Sequence, residues 1–172
     1  MEKEIVLSRL QSTIDNLKKL NPKRFNYSNF VNEGLVRGGN ICGTVCCVAG
    51  WYPRWYGEES GLKYTHIDEV SLTTLDNKIS AEDISEVLVK YHDIRSSLIE
   101  ILFYGQTMHS PWSIELVQFD KQYPGFFTFF PGDDKFSLRV PFGLSSTLEE
   151  VTKMFELVYE LIQNDLINYK PL

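Results

Sequence analysis

From Val45 to Trp51 the chain reads Val-Cys-Cys-Val-Ala-Gly-Trp, apolar on every side, with Thr44 just before it. A helix of that make-up offers no face to water, so it belongs inside a core and the remaining elements have to be arranged around it. Thr44 is suited to cap its start by accepting a backbone N–H. The segment is therefore predicted to be the central helix, closed by Trp51-Tyr52-Pro53-Arg54-Trp55-Tyr56, where Pro53 and then Gly57 break regularity.

A chain of 172 residues is long enough to surround such a helix with one core, without disulfide or metal staples. One domain over residues 1–172 is expected, with a helical part over 1–110 and a hairpin plus a C-terminal helix over 111–172. The fold class that follows is α+β, mainly helical, with a small antiparallel hairpin or sheet in the C-terminal half covered by a long C-terminal helix.

The periodicities behind that expectation are local. Val6, Leu10, Ile14 and Leu17 recur at helical steps and stop before Asn21-Pro22. Ser80 and Asp83 have the spacing of a capping box, followed by Ile84, Val87, Leu88 and Tyr91. A second stripe, Ile94, Leu98, Ile101 and Leu102, begins just after His92-Asp93, so two short helices meet at a tight corner. From Trp112 the texture turns toward strands, and Phe126 to Phe130 and Phe136 to Val140 flank the turn residues Pro131-Gly132-Asp133-Asp134 as a hairpin would. Thr147 and Glu150 then open a long amphipathic helix through Leu148, Val151, Phe155, Val158 and Ile162.

Charge excludes one class of partner. Seventeen basic against 23 acidic side chains leave a formal charge of −6, whereas a phosphate backbone calls for clustered Lys and Arg. Nucleic acid is therefore not the expected partner, and the corner of two helices reads as packing and not as a DNA-binding pair. The first twenty residues are too charged for a signal peptide, and no run of residues reaches the length of a membrane span. Three cysteines within six positions, Cys42, Cys46 and Cys47, are not a secreted disulfide framework, so a reducing cytoplasm is the expected setting.

Phe25-Asn26-Tyr27-Ser28, followed by Cys42-Gly43-Thr44-Val45-Cys46-Cys47-Val48-Ala49-Gly50-Trp51, resembles a group of small uncharacterised proteins of bacteria and their phages. Their pattern is Phe-Asp/Asn-x-Ser, then Cys-Gly-Thr-x-Ala-Cys-x-Ala-Gly. The resemblance covers residues 25–51 and extends toward Leu102-Phe103; this chain departs from it at Cys46, where Ala is usual. It implies that Cys42 and Cys47 belong to the shared pattern and that the setting is host–phage conflict or regulation. It carries no activity.

Three features bear on chemistry. A thiol at Cys42, just before the predicted helix start, could be acidified there and act as a nucleophile, with His66, His92 or His109 as base and Asp68 or Asp93 to orient it. Cys42, His92 and Asp93 are the residues of that thiol-dependent hydrolase or transferase. The competing interpretation, small buried thiols without reactivity, is preferred. A metal is not expected, because Cys42 and Cys46 lack a second ligand pair, and no cofactor loop rich in glycine is present. The cluster Trp51, Tyr52, Arg54, Trp55 and Tyr56 has the make-up of a binding hot spot or a stacking platform for planar ligands. The leading expectation is thus a cytosolic binding protein whose partner is a protein or a small ligand, with a homodimer through the Phe-rich strand as a further option because Phe126 and Phe130 face one side and Phe127 and Phe129 the other.

Overall fold

The structure of the protein, a computed structural model, describes residues 2–25, 47–65, 71–78, 80–104, 106–107, 128–130, 137–139 and 147–171. Helix α1, Lys3–Lys19, buries Val6, Leu10, Thr13, Ile14 and Leu17 along one face, the stripe that the spacing predicts plus one hydroxyl. Its carboxyl end carries Lys18 and Lys19, which suit the dipole there. The chain leaves it through extended Leu20 into a short turn, Pro22–Arg24, capped by the Asn21 side chain, which accepts from Lys23 N–H at 3.0 Å.

Helix α2, Val48–Tyr56, is the apolar segment displaced toward the carboxyl end of its predicted range. Thr44 lies outside the described residues, and Cys47 occupies the N-cap. The helix also continues through Pro53, which the sequence reading places among its breakers. Proline there removes one intrahelical donor, but the helix is only one turn from its end, where Gly57, at φ +58°, donates its N–H to the Pro53 carbonyl and closes it.

A short 3-10 turn, Gly57–Ser60, then leads to β1, Leu62–Thr65, which pairs antiparallel with β2, Ser71–Thr74. Nothing in the sequence reading anticipates this two-stranded sheet. Gly61 joins the turn to β1 at φ +74°, and a Cβ there would lie 2.5 Å from Val87 Cγ1 on the following helix, so this position requires glycine on both counts.

Helices α3, Ala81–His92, and α4, Ser96–Tyr104, form the expected corner. Ser80 caps α3 by accepting from Asp83 N–H at 3.1 Å, and Asp93 ends it in the left-handed region at φ 54°. The Arg95 N–H next to it reaches the Tyr169 carbonyl at 2.7 Å, fastening the corner to the C-terminal segment. On α4, Leu98, Ile99, Leu102 and Phe103 are all buried.

The expected hairpin is present as β4, Thr128–Phe130, and β5, Ser137–Arg139, with Phe129 opposite Leu138; β3, Gln106–Thr107, pairs with the other edge of β5. Phe126, Phe127 and the turn at 131–134 lie outside the described residues, as do Trp112 and the apolar positions near it. Helix α5, Leu148–Gln163, starts with a complete capping box: Glu150 N–H donates to Thr147 Oγ1 at 3.2 Å and Thr147 N–H to Glu150 Oε2 at 2.7 Å. Its stripe of Leu148, Val151, Met154, Phe155, Val158, Leu161 and Ile162 enters the same core as α1, and its main neighbour is α1, the first element of the chain. The class is α+β and mainly helical. Among the described residues no helix is long and apolar enough to cross a membrane.

Candidate functional site

Helix α2 distributes the predicted binding cluster between two environments. Tyr52 is fully buried, ringed edge-on by Tyr56, Tyr91, His92 and Phe103 with centroids 5.0–5.8 Å away. Tilts of this kind bring the positive ring edge to the negative ring face. Its hydroxyl lies 3.1 Å from Thr13 Oγ1 and 2.6 Å from His92 Nε2, and Tyr56 Oη lies 3.0 Å from the same Thr13 atom. Asn16 Nδ2 donates to Tyr56 Oη at 3.4 Å. Both tyrosines are therefore engaged with α1, and Tyr52 with α3 as well. Burial holds the Tyr52 hydroxyl well above its usual range, so it stays protonated.

Of the other three members, Trp55 also borders that network, its ring centroid 5.9 Å from Tyr52 and 6.2 Å from Tyr56. Trp51 is 4% exposed and stacks on Trp55, with centroids 6.1 Å apart and planes 16° from parallel. Arg54 is exposed, its guanidinium carbon 5.9 Å from the Trp51 ring centroid, and Trp55 is half-buried. One buried polar atom on this side, Trp51 Nε1, has no hydrogen-bond partner among the described residues. The exposed guanidinium of Arg54 and the half-buried ring of Trp55 thus form a ridge over the buried Trp51 indole and the Tyr52 core.

The catalytic alternative is distributed differently. Cys42, Cys46, His66, Asp68 and His109 lie outside the described residues. Cys47 is buried at the start of α2, and desolvation pushes its thiol up to about 11, outweighing the opposing pull of the Gly50 and Ala49 backbone. Cys47 is thus a neutral, inert thiol at neutral pH. His92 has no exposure at all and closes the last turn of α3; burial, and then the Arg9 charge, hold it down to about 3, so it is neutral. Asp93, beside it, ends the helix in the left-handed region.

Arg9 completes the site. Its guanidinium carbon stands 4.6 Å from the Tyr91 ring centroid, its Nη1 donates to the Tyr91 carbonyl, and Nη2 is 3.8 Å from Glu59. Burial, followed by Tyr56 and Glu59, pushes the Tyr91 phenol up to about 12. Thr13, Asn16, Arg9, Tyr91 and His92 all belong to this network, and sequence reasoning grouped none of them with the aromatics of α2. A signal existed: Thr13 sits on the apolar stripe of α1, three positions after Leu10, and a hydroxyl there needs a buried partner.

Among the described residues, no group of three or more His, Cys, Asp or Glu side chains is placed to hold a metal ion. No protein-family model, curated protein or solved structure matches the chain.

Proposed function

We propose that this is a cytosolic binding protein that recognises a protein partner or a small ligand through the ridge of Arg54, Trp51 and Trp55. The observation that carries this reading is the division within α2: Tyr52 and Tyr56 are committed to hydrogen bonds inside the molecule, while Arg54 is exposed above the Trp51 ring with half-buried Trp55 stacked beside that ring. Arginine beside aromatic rings gives large contact area at small entropic cost and is enriched where binding energy concentrates. Of the residues of the thiol-catalysis alternative, Cys42 lies outside the described residues, and His92 is sealed and neutral, which disfavours it as the base. The resemblance of residues 25–51 to phage and bacterial proteins supplies the setting, host–phage conflict or regulation.

Two measurements test this. Native protein treated with iodoacetamide near neutral pH should label slowly at all three cysteines; rapid alkylation of Cys42 with a pKa well under ~8.5 overturns the binding reading in favour of the enzyme. In parallel, wild-type protein and the double variant Arg54→Glu, Trp55→Ala serve as baits for host lysate and for a nucleotide panel scored by melting temperature. The expected result is a species held or a shift seen with wild type and lost in the variant, whose retained fold is checked by circular dichroism. Equal retention by both baits removes the ridge from the proposal.

A further inference from the structure

The protons in the buried network can be assigned by counting them. Thr13 Oγ1 has one proton and lies 3.1 Å from the Arg9 carbonyl, 3.1 Å from Tyr52 Oη and 3.0 Å from Tyr56 Oη. If Tyr52 donated to His92 Nε2, the imidazole proton would sit on Nδ1, a buried atom with no hydrogen-bond partner among the described residues. That adds a further unpaired N–H to the core besides the Trp51 indole, at the full cost of its desolvation. In the other arrangement Thr13 donates to Arg9, both tyrosines donate to Thr13, and Nε2–H of His92 donates to Tyr52 at 2.6 Å. Every proton then has an acceptor. Only a lone pair, on Nδ1, is left over.

We propose that the corner between α3 and α4 is an acid-released latch: His92, neutral and protonated on Nε2 alone, ties the end of α3 to Tyr52 on α2, and a second proton enters at Nδ1 only when the corner opens. The ring has no exposure and Nδ1 faces no acceptor, so an imidazolium cannot be accommodated in place. Among the described residues, the groups packed around the ring bring no anion into contact with Nδ1. From α1 comes the Arg9 cation; from α2 the neutral Tyr52 and Tyr56 phenols; from α4 the Phe103 ring at 6.0 Å. Tyr91 and Asp93 flank His92 on α3 itself, and the Glu59 carboxylate of the turn after α2 lies against Arg9. Electrostatics agree with the geometry, because burial and Arg9 hold His92 down to about 3 from an ordinary 6.5. With the folded value depressed, the stabilisation is complete above about pH 6.5 and is lost progressively as pH falls toward about 3. Opening breaks the Arg95 N–H bond to the Tyr169 carbonyl and uncovers the rings behind Tyr52.

The test uses the full chain, and its first arm is nitrogen NMR of the imidazoles at pH 7, which should show His92 as the Nε2–H tautomer. The second arm is amide hydrogen exchange between pH 7 and 4.5, corrected for intrinsic rates. Protection at Asp93 and Arg95 should fall about tenfold per pH unit below about 6.5, ahead of the amides of α1 and α5. His92→Gln, which keeps a donor near the Nε2 position but does not titrate, should abolish that dependence. An Nδ1–H tautomer, flat protection at the corner in wild type, or loss in step with α1 and α5 overturns the proposal. The wild-type arms decide it even if the variant does not fold.

Discussion

Helix α1 is joined to the rest of the molecule by two seams of opposite chemistry. Toward α2 and α3 it presents Thr13, Asn16 and Arg9, and the contact is made by hydroxyls and a ring stacked under a guanidinium. Toward α5 the interior is apolar, and charge appears only at the rim, where Lys3 meets Asp165 and Lys18 meets Glu156, each at 2.7 Å. Buried hydrogen bonds are directional and leave a penalty when one member is removed, whereas rim ion pairs are screened and interchangeable. The first seam sets one arrangement of the helices. The second supplies the burial that keeps them together.

Three substitutions sharpen that contrast. Phe155→Ala should have the largest effect, because the ring is fully buried edge-on to Phe103 at 5.5 Å; a loss of ~3–5 kcal/mol in denaturant unfolding is expected, and a loss under ~1 kcal/mol would mean that the α5 side is loosely packed. Tyr52→Phe changes one oxygen and keeps the ring, yet it strands the His92 donor; the expected loss is ~1–3 kcal/mol, and an unchanged melting temperature would show that the hydrogen bonds do not define the seam. Lys18→Ala should be the smallest, a shift within the error of a thermal melt, although Glu156, first through its hydrogen bond and then its charge, raises the Lys18 pKa. A clear salt-dependent loss would place the rim pair among the determinants of the fold.

The same contrast separates what was legible in the sequence from what was not. α1, α3, α4 and α5 are written in local spacing: apolar residues at three and four, Ser80 and Thr147 as caps, Asp93 at the corner. The β4–β5 pair was legible from two apolar runs about a turn. The β1–β2 sheet was not, because four-residue strands are too short for alternation to stand out. The extent of α2 was misjudged since Pro53 carries a breaker's signal, and only its closeness to the helix end makes it tolerable. Within the candidate site, the aromatic cluster of α2 was visible as a run. Its split into an inward hydrogen-bonded pair and an outward ridge was not, since Tyr52 and Tyr56 are drawn to Thr13 from about forty positions away. Composition names the members of such a network, and only the fold chooses their partners.

Because α5 is the main neighbour of α1, the apolar stripe of α1 is covered on that side by a helix that begins only at Leu148, so that contact must be closed across most of the intervening sequence. Chains stalled before Leu148 lack that cover for Val6, Leu10, Ile14 and Leu17 and should be favoured clients of holdase chaperones.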